Sequence, residues 1–275
     1  MMAIAMDFLE KIHTAARRYC MDRHHYWCME YQRVNPSGTV KYTDEHYDTF
    51  PRYNVLNAIL VELERYTGET YPTVEAAKAA ATRAGFEGND AFTESPSNDT
   101  EKKAIEDERF QFAKHIDGLS DADLEAVEPL PYRRVLSKEE SARLWTDVKK
   151  KWDIDGYWYP LAETQASQMA AFQDRHFEES VPPEKLRDIL SGRGINRIWQ
   201  LMEYGPEYEI DTVLFEPCYG GAEGYWTSDG FDWLVYASHE SSITVAGWLL
   251  PEVQQVWPES KTHVWTTPFS DKDLE

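Results

Sequence analysis

The sequence has few cysteines and no long hydrophobic run. Its 275 residues include only Cys20, Cys28 and Cys218, an odd number for a disulfide framework. A chain of this length can bury a core without such bonds, so we expect a reducing compartment. No run of about 18 apolar residues occurs, which excludes a typical membrane-spanning helix. Residues 1–9 are apolar, but Asp7 interrupts them and no basic region precedes them, so we expect no signal peptide and a cytoplasmic location.

Motifs that would identify a reaction or a cofactor are also missing. The chain has no glycine-rich dinucleotide fingerprint, no P-loop, no Gly-x-Ser-x-Gly and no Cys-x-x-Cys. The glycine-rich stretch 220–224 precedes a strand pattern, whereas a phosphate-binding loop would lead into a helix. We therefore predict no cofactor.

Positive charge is scarce. The chain has 28 Lys and Arg against 49 Asp and Glu, a formal net charge of −21. Such a balance disfavours binding to nucleic-acid phosphates or to an anionic membrane surface, because both require clustered basic residues. Hydrophobic residues at 42%, including ten tryptophans, argue against general disorder. The composition thus favours a folded protein whose partners are neither nucleic acid nor membrane.

The first third of the sequence has helical periodicity. Leu56, Ile59, Leu60 and Leu63 recur at the spacing of one helix face. The polar stretch 88–100 has no apolar period and resembles a linker. We therefore predict three segments: a helical domain over 1–90, an acidic linker with helices over 91–131, and a domain over 132–275.

The last half changes from helices to strands. A capping box at Ser137 and Glu140 predicts a helix, and further helices are expected near 166–177 and 182–190. Short connections rich in Gly, Pro, Asp and Ser then separate strand patterns, as in hairpins. The predicted strands span 196–203, 209–215, 223–227, 233–239 and 242–248. The predicted class is α+β, with a mainly helical N-terminal region and a C-terminal antiparallel sheet flanked by helices.

The largest departure from ordinary composition is a stretch without any Lys or Arg, from Ile198 to Ser260, which holds eleven acidic residues and five tryptophans. One interpretation is a solvated acidic face over a tryptophan-rich core. Another is a carboxylate-rich, aromatic surface that binds a basic protein, because charge steers association and aromatic residues anchor it. The residues expected on such a surface are Glu203, Glu207, Tyr225, Trp226, Asp229 and Asp232. A third interpretation is a site that uses the carboxylates directly, as paired acids do in glycoside hydrolysis.

Two groups of residues suggest chemistry. Cys20, His24 and Cys28 share a helix face and could form a three-ligand metal cluster, but a buried seam explains them better, so we predict no metal site. Cys218 lies beside glycines and, with His239, forms the best available nucleophile and base for a small-molecule hydrolase or transferase with a pocket beside the sheet. A scaffold protein without any enzymatic site also fits.

The acidic, tryptophan-bearing strand series from Asp232 to Leu250, followed by Trp257-Pro258, resembles bacterial immunity proteins, the partners of secreted toxins. The resemblance covers roughly residues 132–265. It implies a cytoplasmic, acidic α+β protein that neutralises a basic toxin domain by binding it. The additional helical region of about 90 residues departs from a minimal immunity protein and leaves its own role open. We therefore expect a non-enzymatic, protein-binding chain; the sequence does not decide its oligomeric state.

Overall fold

Helix-forming and strand-forming patterns occupy different parts of the chain, and the structure divides it accordingly. The computed structural model describes residues 8–36, 38, 41–66 and 71–266. They belong to two compact units, which meet in the sequence between Leu130 and Pro131. The first unit is helical and the second contains a seven-stranded antiparallel sheet with helices, so the predicted α+β class is confirmed. No helix among the described residues is long and apolar enough to cross a membrane.

The helices of the first unit begin at polar residues that cap them. Thr73, Asn98 and Ser120 each accept a hydrogen bond from a backbone N–H in the first turn of the helix that follows. Among the described residues, the helices are α1 (Phe8–Val34), α2 (Asp44–Leu63), α3 (Val74–Glu87), α4 (Asp99–Gly118) and α5 (Asp121–Glu125).

The core of this unit forms where the apolar stripes of the helices meet. Leu56, Ile59 and Leu63 of α2 pack with Phe112 and Ile116 of α4, and all five side chains are buried. Helix α4 lies in the region predicted as an acidic linker. Because its apolar stripe is buried against α2, the structure assigns this helix to the first unit instead.

A buried carboxylate connects three helices of the first unit. Glu108 of α4 is about 1% exposed and accepts hydrogen bonds from Arg23, Trp27 and Arg52. The two guanidinium groups neutralise a charge that would be costly to bury alone. Glu108 therefore links α4 to α1 and α2.

In the first part of the second unit strands alternate with helices, and from Arg197 onward the strands follow one another along the chain. Its elements are β1 (Arg133–Val135), α6 (Lys138–Trp152), β2 (Met169–Gln173), α7 (Asp174–Ser180), α8 (Pro183–Gly192), β3 (Arg197–Met202), β4 (Tyr208–Asp211), β5 (Gly224–Thr227), β6 (Trp233–Ser238), β7 (Ser242–Gly247) and α9 (Leu249–Val256). The strand order in the sheet is β1-β4-β3-β5-β6-β7-β2, and every neighbouring pair is antiparallel.

Both faces of the sheet centre are covered. Helix α6 packs with Leu201, Tyr225 and Tyr236 on one face. On the other face, Trp226 and Trp233 contact Phe215. All residues of β5, β6 and β7 are buried as a result.

One strand differs from the sequence expectation. Residues 166–177 were expected to be helical, but Met169–Gln173 forms β2, which pairs with β7 from Met169↔Ala246 to Gln173↔Ser242. A short apolar run that contains alanines is compatible with a helix or a strand, and in this structure its backbone hydrogen bonds to β7 make it a strand. The helix α7 begins only after this strand.

We predict that Glu108→Gln destabilises the first unit by about 3 kcal/mol, because it leaves two guanidinium groups without their carboxylate. Amide hydrogen exchange in α2 and α4 measures the change separately from the second unit. The control is Glu106→Gln on the same helix, whose side chain is 65% exposed; it should cost less than about 0.5 kcal/mol. Equal loss of protection in the two variants would contradict the structural role of Glu108.

Candidate functional site

The acidic residues predicted to form one surface lie at two opposite ends of the sheet. The pairs Met202↔Gly224 and Trp199↔Thr227 fix the direction of β5 against β3. Glu203 therefore lies at the end where β5 begins, and Asp229 lies beyond the end where β5 finishes. The four residues of β5 span about 13 Å at roughly 3.3 Å per residue. The predicted single surface is thus divided into two.

At the far end, which we call the Trp248 end, carboxylates hold indole rings. Trp199 Nε1 donates to Asp229 at 3.1 Å, and Trp248 Nε1 donates to Asp232 at 3.0 Å. The guanidinium of Arg193 lies 4.1 Å from the Trp248 ring centroid. Both aspartates are exposed but already engaged by this unit.

Tyr225 and Trp226, predicted as surface anchors, are each only 3% exposed. They lie on opposite faces of β5, and each face is covered by other elements. Neither is available as a surface anchor, because β5 lies at the centre of the sheet and both of its faces are covered.

The exposed aromatic residues of this unit lie instead at the opposite end, which we call the His239 end. Tyr157, Tyr204 and Tyr219 are 42–59% exposed, and no other aromatic residue of the second unit is so exposed among those the structure describes. The rings of Tyr157 and Tyr219 lie 5.7 and 6.4 Å from the His239 ring. Tyr204 donates its hydroxyl to Gly221 O at 2.6 Å.

Carboxylates surround these tyrosines. Glu203 is exposed next to Tyr204, and Glu240 Oε1 lies 3.4 Å from His239 Nε2. We call the set Tyr157, Tyr204, Tyr219, Glu203 and Glu240 the tyrosine–carboxylate surface. Partial desolvation, with Tyr219 and Glu203 nearby, raises the pKa of Tyr204 above its ordinary value. Tyr219 and Glu203 are therefore close enough to Tyr204 to influence its ionisation.

At the centre, a buried carboxylate contacts an exposed histidine. Glu223 Oε1 accepts hydrogen bonds from His239 Nδ1 and from the His239 backbone N–H, the latter at 3.1 Å. The Glu223 side chain is 2% exposed and the His239 side chain 41%. The hydrogen bond to Glu223, together with the charges of Glu223, Glu240 and Glu203, raises the pKa of His239. This end of the sheet therefore stabilises positive charge.

A cleft of about 430 Å³ opens beside this pair. Trp145 and Lys149 of α6 line it, together with Tyr157, Glu203, Glu223 and Tyr225. Trp145 is held by the donation of its Nε1 to Glu207. The volume is within the range of about 300–1,000 Å³ that is usual for ligand sites.

The floor of the cleft continues into a buried tyrosine pair. Tyr225 stacks on Tyr236 with ring centroids 4.6 Å apart. Burial raises the pKa of both phenols, and the Glu223 carboxylate adds to the effect. Glu223 Oε2 and Tyr236 Oη are both buried, and the carboxylate and the hydroxyl lie close enough to interact.

The predicted nucleophile and base are not brought together. Cys218 lines a different cavity, of about 310 Å³, with Phe177, Leu186 and Glu216. Burial, and the charges of Glu216 and Glu178, raise the pKa of the Cys218 thiol, which lowers its thiolate fraction. His239 pairs with Glu223 and Glu240 instead, and no hydrogen bond between His239 and Cys218 occurs among the described residues.

The three residues considered for metal binding, Cys20, His24 and Cys28, do not form a common site. Cys20 is buried in the helical core, which raises its pKa well above the ordinary value. His24 contacts Cys28 at 3.7 Å from Nδ1 to Sγ. The described residues contain no group of three or more His, Cys, Asp or Glu placed to hold a metal ion.

Sequence reasoning found Glu203 and His239 but missed Lys149, Glu223 and the three exposed tyrosines. A local signal for the tyrosines exists, because each adjoins a glycine, in Gly156-Tyr157, Tyr204-Gly205 and Tyr219-Gly220. Glycine marks turns, and an aromatic residue in a turn is more often exposed than one in a strand. The signal is incomplete, since Gly224-Tyr225 has it too and Tyr225 is buried.

Comparison with known proteins adds no family, because no family model, no curated protein and no solved structure matches the chain.

We predict that the contribution of His239 to stability is present at low pH and lost at high pH. The pKa of His239 is raised in the folded chain, so its stabilisation is full below the unfolded pKa of about 6.5 and disappears as pH rises through the folded pKa. His239→Gln should therefore lower the hydrogen-exchange protection of β5 and β6, relative to wild type, more at pH ~5.5 than at pH ~8.5.

The matched control places the same change in the Glu223→Gln background, which removes the carboxylate but keeps an acceptor. There the pH-dependent part of the His239→Gln effect should largely vanish. A difference that persists unchanged without the carboxylate would contradict the assignment of the pair as the source.

Proposed function

We propose that this chain is a non-enzymatic, inhibitor-like protein that binds a basic protein through the tyrosine–carboxylate surface. The observation that carries the proposal is the concentration of exposed aromatic residues. All three exposed aromatic side chains that the structure describes in the second unit lie among carboxylates at one end of the sheet. Tyrosine is enriched at protein interfaces, because its ring buries apolar area while its hydroxyl keeps a polar partner.

The charge of the surface favours a basic partner. The segment 198–260, which supplies Glu203, Tyr204, Tyr219, His239 and Glu240, has no Lys or Arg. Surface charge of one sign speeds the encounter with a partner of the opposite sign, and this acceleration decreases with salt. A basic toxin domain, the partner class suggested by the resemblance to immunity proteins, is the first to test.

Catalysis has less support. The histidine at this end has a carboxylate partner, but no activated nucleophile contacts it among the described residues. A histidine held by a carboxylate is a common arrangement in catalytic sites, yet it needs a third group that reacts. Without one, binding is the better-supported function.

We predict that neutralising this end slows association with the partner. A basic protein retained by the immobilised wild-type chain is purified, and association rates are then measured for Glu203→Gln/Glu240→Gln. At ~0.15 M salt the rate should fall about two- to fivefold, and at ~1 M salt the difference should largely disappear, because screening shortens the range of the charges.

The control removes the same charge at the Trp248 end. Asp229→Asn/Asp232→Asn keeps oxygen acceptors for Trp199 and Trp248, so the structure there should be preserved. It should change the rate less than about twofold, because it lies more than a Debye length of about 8 Å away. Equal effects of the two double variants, an acidic partner, or no partner at all would contradict the proposal.

A further inference from the structure

The cleft at the His239 end combines aromatic walls with carboxylates that are incompletely compensated. Trp145 and Tyr157 supply ring surfaces, the nearly buried Tyr225 completes the aromatic lining, and Glu203 and Glu223 supply negative charge. Glu223 is buried, accepts from His239 with one oxygen and interacts with the Tyr236 hydroxyl, whereas Glu203 is exposed and no side-chain hydrogen bond to it occurs among the described residues. The two carboxylates give the cleft negative charge, so positive charge placed in it would be stabilised.

One positive group of this chain lines the cleft and another lies beside it. Lys149 Nζ lies 5.3 Å from the Trp145 ring centroid, a cation–π distance. His239, outside the lining, is bound by Glu223 on one side and lies near Glu240 on the other. Its hydrogen bond to Glu223, with the charges of Glu223, Glu240 and Glu203, raises the pKa of His239.

Trp145 and Tyr225 are held in place. Trp145 donates to Glu207 and packs edge-on against Tyr225 at 5.1 Å, and Tyr225 stacks on Tyr236. Fixed aromatic surfaces beside carboxylates suit a planar guanidinium, which stacks on rings and donates several hydrogen bonds to oxygen. An ammonium can make the ionic contact but stacks less well.

We propose that this cleft binds one arginine side chain of the basic partner, and that Lys149 competes with that side chain for the Trp145 wall. The proposal extends the proposed function, because it names the group of the partner that enters the tyrosine–carboxylate end. The proposal assigns opposite effects on arginine binding to the two charged side chains Glu203 and Lys149. Glu203 attracts the guanidinium and Lys149 opposes it.

The test uses the full chain and four blocked tripeptides, Gly-X-Gly, in which X is arginine, citrulline, lysine or glutamate. Citrulline has nearly the shape of arginine but no charge. Titrations follow the indole N–H signal of Trp145, assigned by its loss in Trp145→Phe. Arginine should bind tightest, lysine more weakly, and citrulline and glutamate should cause no saturable shift.

Substitutions then determine the sign of each charge effect. Lys149→Met should tighten the binding of the arginine peptide about two- to fivefold, and Glu203→Gln should weaken it by a similar factor, as expected for partly exposed charges. The control is Lys150→Met, one residue further along α6 and outside the lining of the cleft; it should leave the affinity unchanged. Weaker binding of the arginine peptide in Lys149→Met would contradict the competition between Lys149 and the guanidinium. A glutamate peptide that binds would indicate an anion site. Either result overturns the proposal.

The outcome is separable from that of the proposed function. If the arginine peptide binds as described but no basic protein partner exists, the cleft assignment stands and the proposed function fails. If a partner is found that depends on Glu203 and Glu240, while arginine and citrulline peptides behave alike, the proposed function stands and the cleft assignment is wrong. Arginine and citrulline peptides that bind equally are therefore sufficient to reject the cleft assignment.

Discussion

The second unit depends on the way a single buried carboxylate is held at the start of its central strand. The backbone carbonyl of Glu223 accepts from the Glu203 N–H at 2.9 Å, and its side chain accepts from the His239 N–H and ring. Glu223 thus joins the ends of β3, β5 and β6. Burying this charge alone would cost several kcal/mol, and the hydrogen bonds from His239 offset part of that cost. The buried Glu223 carboxylate and the exposed His239 imidazole therefore form a charged pair at the end of the sheet.

The two units use buried carboxylates differently. Glu108 of the first unit receives hydrogen bonds from two guanidinium groups and an indole, so both of its oxygens are satisfied within the helices. Glu223 accepts from His239 with Oε1 and interacts with the Tyr236 hydroxyl, so it is held by one imidazole and one phenol and by no guanidinium. A fully compensated carboxylate contributes structure alone, because nothing remains for a ligand to supply. A partly compensated carboxylate beside a cleft leaves part of its stabilisation to come from outside, which fits a binding role.

The sequence predicted the α+β class and most strand positions, because period-two patterns between glycine-rich turns are local signals. It did not predict the site, because the site depends on strand pairing. Glu223 and His239 are separated by sixteen positions, and only the antiparallel pairing of β5 with β6, from Gly224↔Ala237 onward, brings them together.

The same pairing explains why the predicted acidic surface is divided: residues close in sequence but on either side of a strand lie at opposite ends of the sheet. Tyr225 and Trp226 were missed as core because burial on both faces removes the alternation that distinguishes inside from outside.

The two ends of the sheet contain similar residue types and differ in which groups remain available. At the Trp248 end, indole N–H groups donate to Asp229 and Asp232, so aromatic residue and carboxylate satisfy each other. At the His239 end, Tyr204 donates to a backbone carbonyl instead, and no side-chain hydrogen bond to Glu203 occurs among the described residues. A partner at the first end would have to break existing bonds, whereas a partner at the second can form new ones. A hydrogen bond gained by breaking another contributes little net free energy, which is why the proposed binding is assigned to the His239 end even though both ends are acidic.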